Sequence, residues 1–223
     1  VLDLIGLQED LVAHTCCGIL EHRDRHDLSS VAVVFPSRRF GFFLRQELAR
    51  EMAGNFFPPA MYPVEAFFEA LFKLNFPGFR VLDDLEAVHA LYESAKAVFA
   101  SGMYGSRRIG DFSSFLPWAR KVLEALEEIQ SEGGETETIP WESYEEFTKL
   151  GEYHQPYKEF IQSLPALLDH VRQSLRQRRR ATQGMIWRDV ADLAEKGELQ
   201  TPPARAWILS GFNATNSCER KLF

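Results

Sequence analysis

Ser37-Arg38-Arg39 is the stretch with the most definite chemistry. One hydroxyl and two guanidiniums stand between an apolar run, Val31-Ala32-Val33-Val34-Phe35, and a helical pattern that begins at Phe40. That placement puts donors and positive charge beside a helix N-terminus, which suits phosphate groups. An ordinary charged surface loop has the same composition, and both readings stand at this point. A second basic group, Arg172, Arg176, Arg178, Arg179 and Arg180, closes a long helical pattern. It can grip a nucleic-acid backbone, or it can simply complement the negative end of a helix dipole.

Other candidates carry less. His14, Cys16, Cys17, His22 and His26 are close in sequence, but adjacent cysteines with no second pair fit no zinc spacing, and no metal is expected. Buried thiols and exposed histidines are the expectation instead. The acids Glu124, Glu127, Glu128, Glu132, Glu135, Glu137, Glu142, Glu145 and Glu146 are dense on helical patterns and read as solvating faces rather than acid–base pairs. At the start of the chain, Val1–Ile5 reads as a strand, Gly6 as a turn, and Gln8 to about His22 as a helix. Strand, glycine, helix is the frame of a phosphate-binding loop. Such a loop needs several glycines and a lysine. Here Gly6 is followed by Leu7-Gln8-Glu9-Asp10, and no lysine precedes Lys73. Glu9 and Asp10 bring negative charge to where a triphosphate would sit, so no nucleotide cofactor is expected.

The elements that hold these residues follow from periodicity. Val31–Phe35 is a β-branched strand. Phe40 to about Met52 is a helix whose apolar stripe is Phe40, Leu44, Leu48 and Met52, joined by Phe43. Ala60–Tyr62 is a short strand, and Pro63 opens a Phe-rich helix to about Leu74. From Asn75 the alternation stops, and helices alone follow: Asp83–Phe99, Trp118–Gln130, Ser143–Leu150 and Gln155 to about Arg179, then one after Met185. Trp207-Ile208-Leu209 reads as a buried strand beside Val31–Phe35. The fold class is α/β. With 45% hydrophobic residues the 223-residue chain can build a core, and its net charge of −7 confines any nucleic-acid contact to a local patch. No apolar run is long enough to span a bilayer. Three cysteines without a disulfide framework fit a cytoplasmic protein, with no membrane partner.

The segment after the last strand, Ser210-Gly211-Phe212-Asn213-Ala214-Thr215-Asn216, resembles the Walker B motif D-E-F-Q-D-T-N of superfamily 1 helicases of the UvrD and RecB kind. Phe212, Thr215 and Asn216 match; Ser210 and Gly211 replace the two acids, and Asn213 stands where that motif has Gln. Ser37, Arg38 and Arg39 occupy the place of the T-x-T-N-K-A-A motif, whose loop touches single-stranded DNA. Tyr62-Pro63-Val64-Glu65 stands where T-F-H-S is found, and Arg188-Asp189-Val190 where a D-F-D-D-L-L-like segment is. The P-S-R-R loop, the G-F-N spelling at Gly211–Asn213 and the L-P-W segment at Leu116–Trp118 are similar to AddB-like and PD-(D/E)XK nuclease proteins of bacterial double-strand break repair.

That resemblance implies a truncated RecA-like, 1A-like parallel-sheet domain (1–76 and 198–223) interrupted by a helical 1B-like insertion (77–197). It implies a motor without ATPase activity, whose degenerate Walker B position is Ser210, Gly211 and Asn213. It also implies DNA, single-stranded or a duplex end, at Ser37, Arg38 and Arg39; Arg176, Arg178, Arg179 and Arg180 are a second candidate DNA contact, read from their charge. A partner helicase or nuclease subunit is expected, with any nuclease chemistry outside a chain that reads as part of a longer protein. Two alternatives stay open: a module that docks a partner without touching DNA, and an active ATP-dependent helicase whose phosphate loop lies upstream.

Overall fold

Val31–Phe35 (β1) is the strand around which the first part of the molecule is built. The computed structural model describes Gly6 and residues 9–99, 103–104, 107–132 and 155–223. The expected strand Val1–Ile5 and helix Ser143–Leu150 lie outside these residues. The chain is mixed α/β and divides into two compact units: Val1–Asn75 with Leu199–Thr215, and Phe76–Glu198 with Asn216–Phe223.

In the first unit, β1 pairs in parallel with Ala60–Pro63 (β2) on one side and Ala206–Leu209 (β7) on the other, with Val34 opposite both Tyr62 and Leu209. All five residues of β1 are buried, as a parallel strand covered on both faces requires. Its odd-numbered side chains, Val31, Val33 and Phe35, pack with Cys16 and Ile19 of α1 (Leu11–Leu20) and with Leu44, Leu48 and Met52 of α2 (Arg38–Met52). Strand side chains alternate between faces, so Ala32 and Val34 face the other way with their register partners Trp207 and Tyr62. There α3 (Val64–Asn75) lies, and Phe67 meets Tyr62 and Trp207 with ring centroids 5.6 and 5.2 Å apart.

α2 sits close to β1 because of Gly41. A Cβ there would meet the Phe35 ring at 2.5 Å, far inside van der Waals contact. The helix starts two residues earlier than the apolar pattern suggests, and its buried stripe is Gly41, Leu44, Leu48 and Met52. Phe43, expected on that stripe, is exposed beside Phe42. The helix stops at Ala53, which adopts a left-handed φ of 43°. A second expectation also changes. The strand at Trp207–Leu209 is half-buried rather than buried, with Leu209 44% exposed. Among the described residues it pairs on one side, with β1.

The second unit packs α4 (Asp84–Val98), α5 (Phe112–Ser131), α6 (Gln155–Gln177), α7 (Gln183–Glu195) and α8 (Ser217–Leu222). The pattern of helices alone needs amending. Arg80–Val81 (β3) pairs in parallel with Arg180–Ala181 (β6), and Met103–Tyr104 (β4) pairs antiparallel with Arg107–Arg108 (β5). Two-residue ladders are too short to leave a period-2 signature in sequence.

α8 was expected with the sheet, yet it groups with the second unit. Cys218 is fully buried there and its thiol reaches the Gln130 carbonyl at 3.3 Å, while Lys221 pairs with Glu195 at 2.7 Å.

α7 begins in an unusual way. Its N-cap residue Thr182 makes no side-chain capping bond. Burial pushes the Glu127 carboxyl of α5 up, opposed by the backbone N–H groups of Gly184 and Gln183 at the start of α7. A carboxylate from a neighbouring helix thus faces the positive end of the α7 dipole.

Candidate nucleic-acid interface

Parallel strands deliver their following loops to one edge of a sheet, and α/β proteins place ligands at that edge. Three segments meet here. Pro36-Ser37 follows β1, Ser210-Gly211 follows β7, and the first turns of α1 pack beside them. Ser210 N–H donates to the Val34 carbonyl at 3.0 Å. Gly211 has a left-handed φ of 82°, and a Cβ there would lie 3.4 Å from both Leu11 Cδ2 and Pro36 Cδ, so the three segments are in close contact.

The N-terminus of α1 is where a phosphate loop would hold its anion. Asp10 occupies it. Its Oδ1 accepts the N–H groups of Val12 at 2.9 Å and Ala13 at 3.1 Å. These donors are spent on a carboxylate supplied by the chain itself, and that carboxylate repels an incoming phosphate. The sequence puts the charge of both Glu9 and Asp10 here, and the structure gives the two hydrogen bonds to Asp10.

The position that resembles a Walker B motif in sequence is filled by a neutral pair. Ser210 Oγ lies 2.6 Å from Thr15 Oγ1, and both residues are buried. The Thr15 hydroxyl is also 2.7 Å from the Leu11 carbonyl and donates to it. A hydroxyl has one proton, so Ser210 donates to Thr15. This chain of bonds satisfies both buried hydroxyls and leaves no carboxylate at the position, where magnesium-dependent chemistry needs one. Thr15→Val should strand the Ser210 hydroxyl and cost about 1–3 kcal/mol, whereas Thr15→Val with Ser210→Ala should cost less than the sum of the single changes. Urea unfolding of the four proteins of the cycle reads the coupling. Thr15 was not legible in the sequence, since 195 positions separate the partners. Gly211 is partly buried in the turn, and Asn213 is exposed in the loop that follows. Asn216, one of the residues that match the helicase motif, caps α8: its Oδ1 accepts Glu219 N–H at 2.8 Å, and Glu219 Oε2 accepts Asn216 N–H at 2.9 Å. The spelling N-x-x-E announces that capping box.

Ser37 is the N-cap of α2, and its Oγ accepts Phe40 N–H at 3.3 Å. Arg38 and Arg39 are the first residues of the helix, and both are exposed. Their charge therefore stands in solvent at the positive end of a helix, at the same sheet edge as Ser210. The Arg39 guanidinium lies 5.8 Å from the Phe43 ring centroid, within cation–π range.

The second basic group belongs to the other unit and is divided. Arg176 forms an ion pair with the mostly buried Asp189. Burial pushes the Asp189 carboxyl up, opposed by Arg176 and Arg172. Burial pulls the Arg172 guanidinium down, and the neighbouring Arg188 and Arg176 add to it. Arg178 and Arg179 are exposed, Arg179 with a left-handed φ of 50° that ends the helix. Arg180 stands opposite Arg80 in the β3–β6 ladder. Of the four arginines taken as one DNA-contacting cluster, Arg176 is thus committed to holding Asp189, and the other three follow the end of α6.

The histidine–cysteine group divides likewise. Cys16 is in the core, where burial, then Cys17, Glu51 and Glu47, pushes its thiol up to about 11. Cys17, the next residue of α1, is exposed, contrary to the expectation of buried thiols. Among the described residues, no group of three or more His, Cys, Asp or Glu is arranged to hold a metal, and no helix is long and apolar enough to cross a membrane. No protein-family model matches this sequence, and no curated protein matches it significantly.

Proposed function

We propose that this chain is a helicase-like module without ATPase activity that holds single-stranded DNA at the C-terminal edge of its sheet. In this reading its first unit is a RecA-like, 1A-like domain, the helical unit is 1B-like, and both belong to an AddB-like protein of DNA repair. The observation that carries it is a contrast between two helix N-termini. That of α1 is closed by Asp10, while that of α2 presents Arg38 and Arg39 to solvent. The Ser210–Thr15 pair supports the same reading, because it turns the metal position into a structural contact.

Phosphate contacts release counterions, so single-strand affinity should fall with salt by about 0.7 in log–log slope for each contact. Arg38→Ala with Arg39→Ala should weaken binding of a labelled dT oligonucleotide at every salt concentration. It should also lower the slope by about 1.4 if each arginine neutralises one phosphate. Fluorescence anisotropy across a salt series measures both quantities. An unchanged slope in the double variant would remove these arginines from the interface. Absence of binding by the wild type at low salt would favour a module that docks a partner subunit instead.

A further inference from the structure

The side of α2 opposite its buried stripe has a composition that the fold does not require. Residues three, four and seven apart share a helix face. Arg38, Phe42 and Arg45 form one row, and Arg39, Phe43 and Gln46 the next. All six are exposed, and the two rings are 55% and 43% exposed. The rings meet edge to face with centroids 5.6 Å apart, and the Arg39 guanidinium lies over Phe43.

The charge on this face is one-sided. Residues 38–46 contain three arginines and no acid, in a chain of net charge −7. Glu47 comes next and is paired with Arg50 at 3.0 Å. An occupant must therefore supply negative charge to the guanidiniums and flat apolar surface to the rings. Single-stranded nucleic acid supplies both, because its phosphates are regularly spaced and its unstacked bases expose their faces. A duplex keeps those faces inside its stack. A purely apolar peptide leaves three guanidiniums without a partner.

We propose that the Phe42–Phe43 face of α2 is a base-stacking subsite for single-stranded nucleic acid, continuing the backbone contacts at Ser37–Arg39. It rests on the single-strand reading above and adds a contact to bases, which that reading does not contain. The discriminating probes are a dT oligonucleotide and an oligonucleotide of equal length whose sugars are abasic, titrated against the intact chain by anisotropy. Stacking predicts that the wild type binds dT at least about tenfold more tightly than the abasic strand. Phe42→Ala with Phe43→Ala should bring dT down to the abasic level, and Phe42→Tyr with Phe43→Tyr should restore the difference. Arg38→Ala with Arg39→Ala should weaken both probes alike. Both rings lie outside the core, and an unchanged thermal midpoint for the ring variants will show that the fold is intact.

Equal affinity for the two probes, or dT affinity indifferent to the ring substitutions, overturns the stacking subsite and leaves backbone binding standing. Failure of both probes to bind at low salt overturns the subsite together with the single-strand reading.

Discussion

Replacing Phe35 by alanine should destabilise the first unit by about 3–5 kcal/mol, the range for truncating a fully buried aromatic ring. Phe35 is 1% exposed and closes the C-terminal end of β1, against both Phe40 and Gly41 of α2. Its removal opens a cavity directly under the helix turn that carries Arg38 and Arg39. The opposite change at the same contact should also destabilise. A methyl group at Gly41 has 2.5 Å to the Phe35 ring, and overpacking of this kind costs about 1–3 kcal/mol. The two changes compete for one volume, so Phe35→Leu with Gly41→Ala should cost less than the sum of the separate substitutions. Urea midpoints, with hydrogen exchange of the β1 amides to report on this unit, measure the effect. A loss below about 1 kcal/mol for Phe35→Ala would mean that α2 is not seated on this ring.

Gly184→Leu should be among the most damaging single changes in the helical unit, at about 1–3 kcal/mol from overpacking. A Cβ at this position would stand 2.9 Å from Glu127 Cα, which is backbone, and 3.0 Å from Gln130 Nε2. A backbone neighbour cannot swing aside as a side-chain tip can, so α5 and α7 must separate. Their separation withdraws the Glu127 carboxylate from the N–H groups of Gly184 and Gln183. Glu127→Gln keeps the shape but removes the charge, and should cost less than Gly184→Leu because α5 and α7 stay together. Comparing the urea midpoints of the two variants separates the effect of the carboxylate charge from that of the packing.

Much of this architecture is legible in the sequence, and the limits have physical causes. β1 is read from an unbroken β-branched run because both its faces are buried. The central segments of α2 to α6 are read from apolar spacing because each buries one stripe. Phe43 was placed inside because it fits the spacing. Gly41, which carries no hydropathy signal, is what brings α2 close enough to β1 to turn Phe43 outward. β3 and β6 are two residues each and join segments about 100 positions apart. Nothing local marks them.

The site shows the same division. Asp10 and Ser37–Arg39 were found because their charge and position in a strand–loop–helix frame speak for themselves. The roles of Thr15 and Glu127 are not legible because both act on partners distant in sequence. The Arg172–Arg180 group read as one basic surface. Sequence shows charges but not their partners, and Arg176 is paired with Asp189 on the neighbouring α7.

In the proposed function this fold holds single-stranded DNA and does so without nucleotide. The direct measurement is the affinity of the intact protein for a dT oligonucleotide across a salt series, with and without magnesium-ATP. Binding is expected to weaken linearly with the logarithm of salt and, at matched ionic strength and free magnesium, to be the same with and without ATP. An affinity that shifts on adding ATP under those matched conditions would show a working nucleotide site, and no binding at low salt would show a module that does not touch DNA; either result contradicts the account.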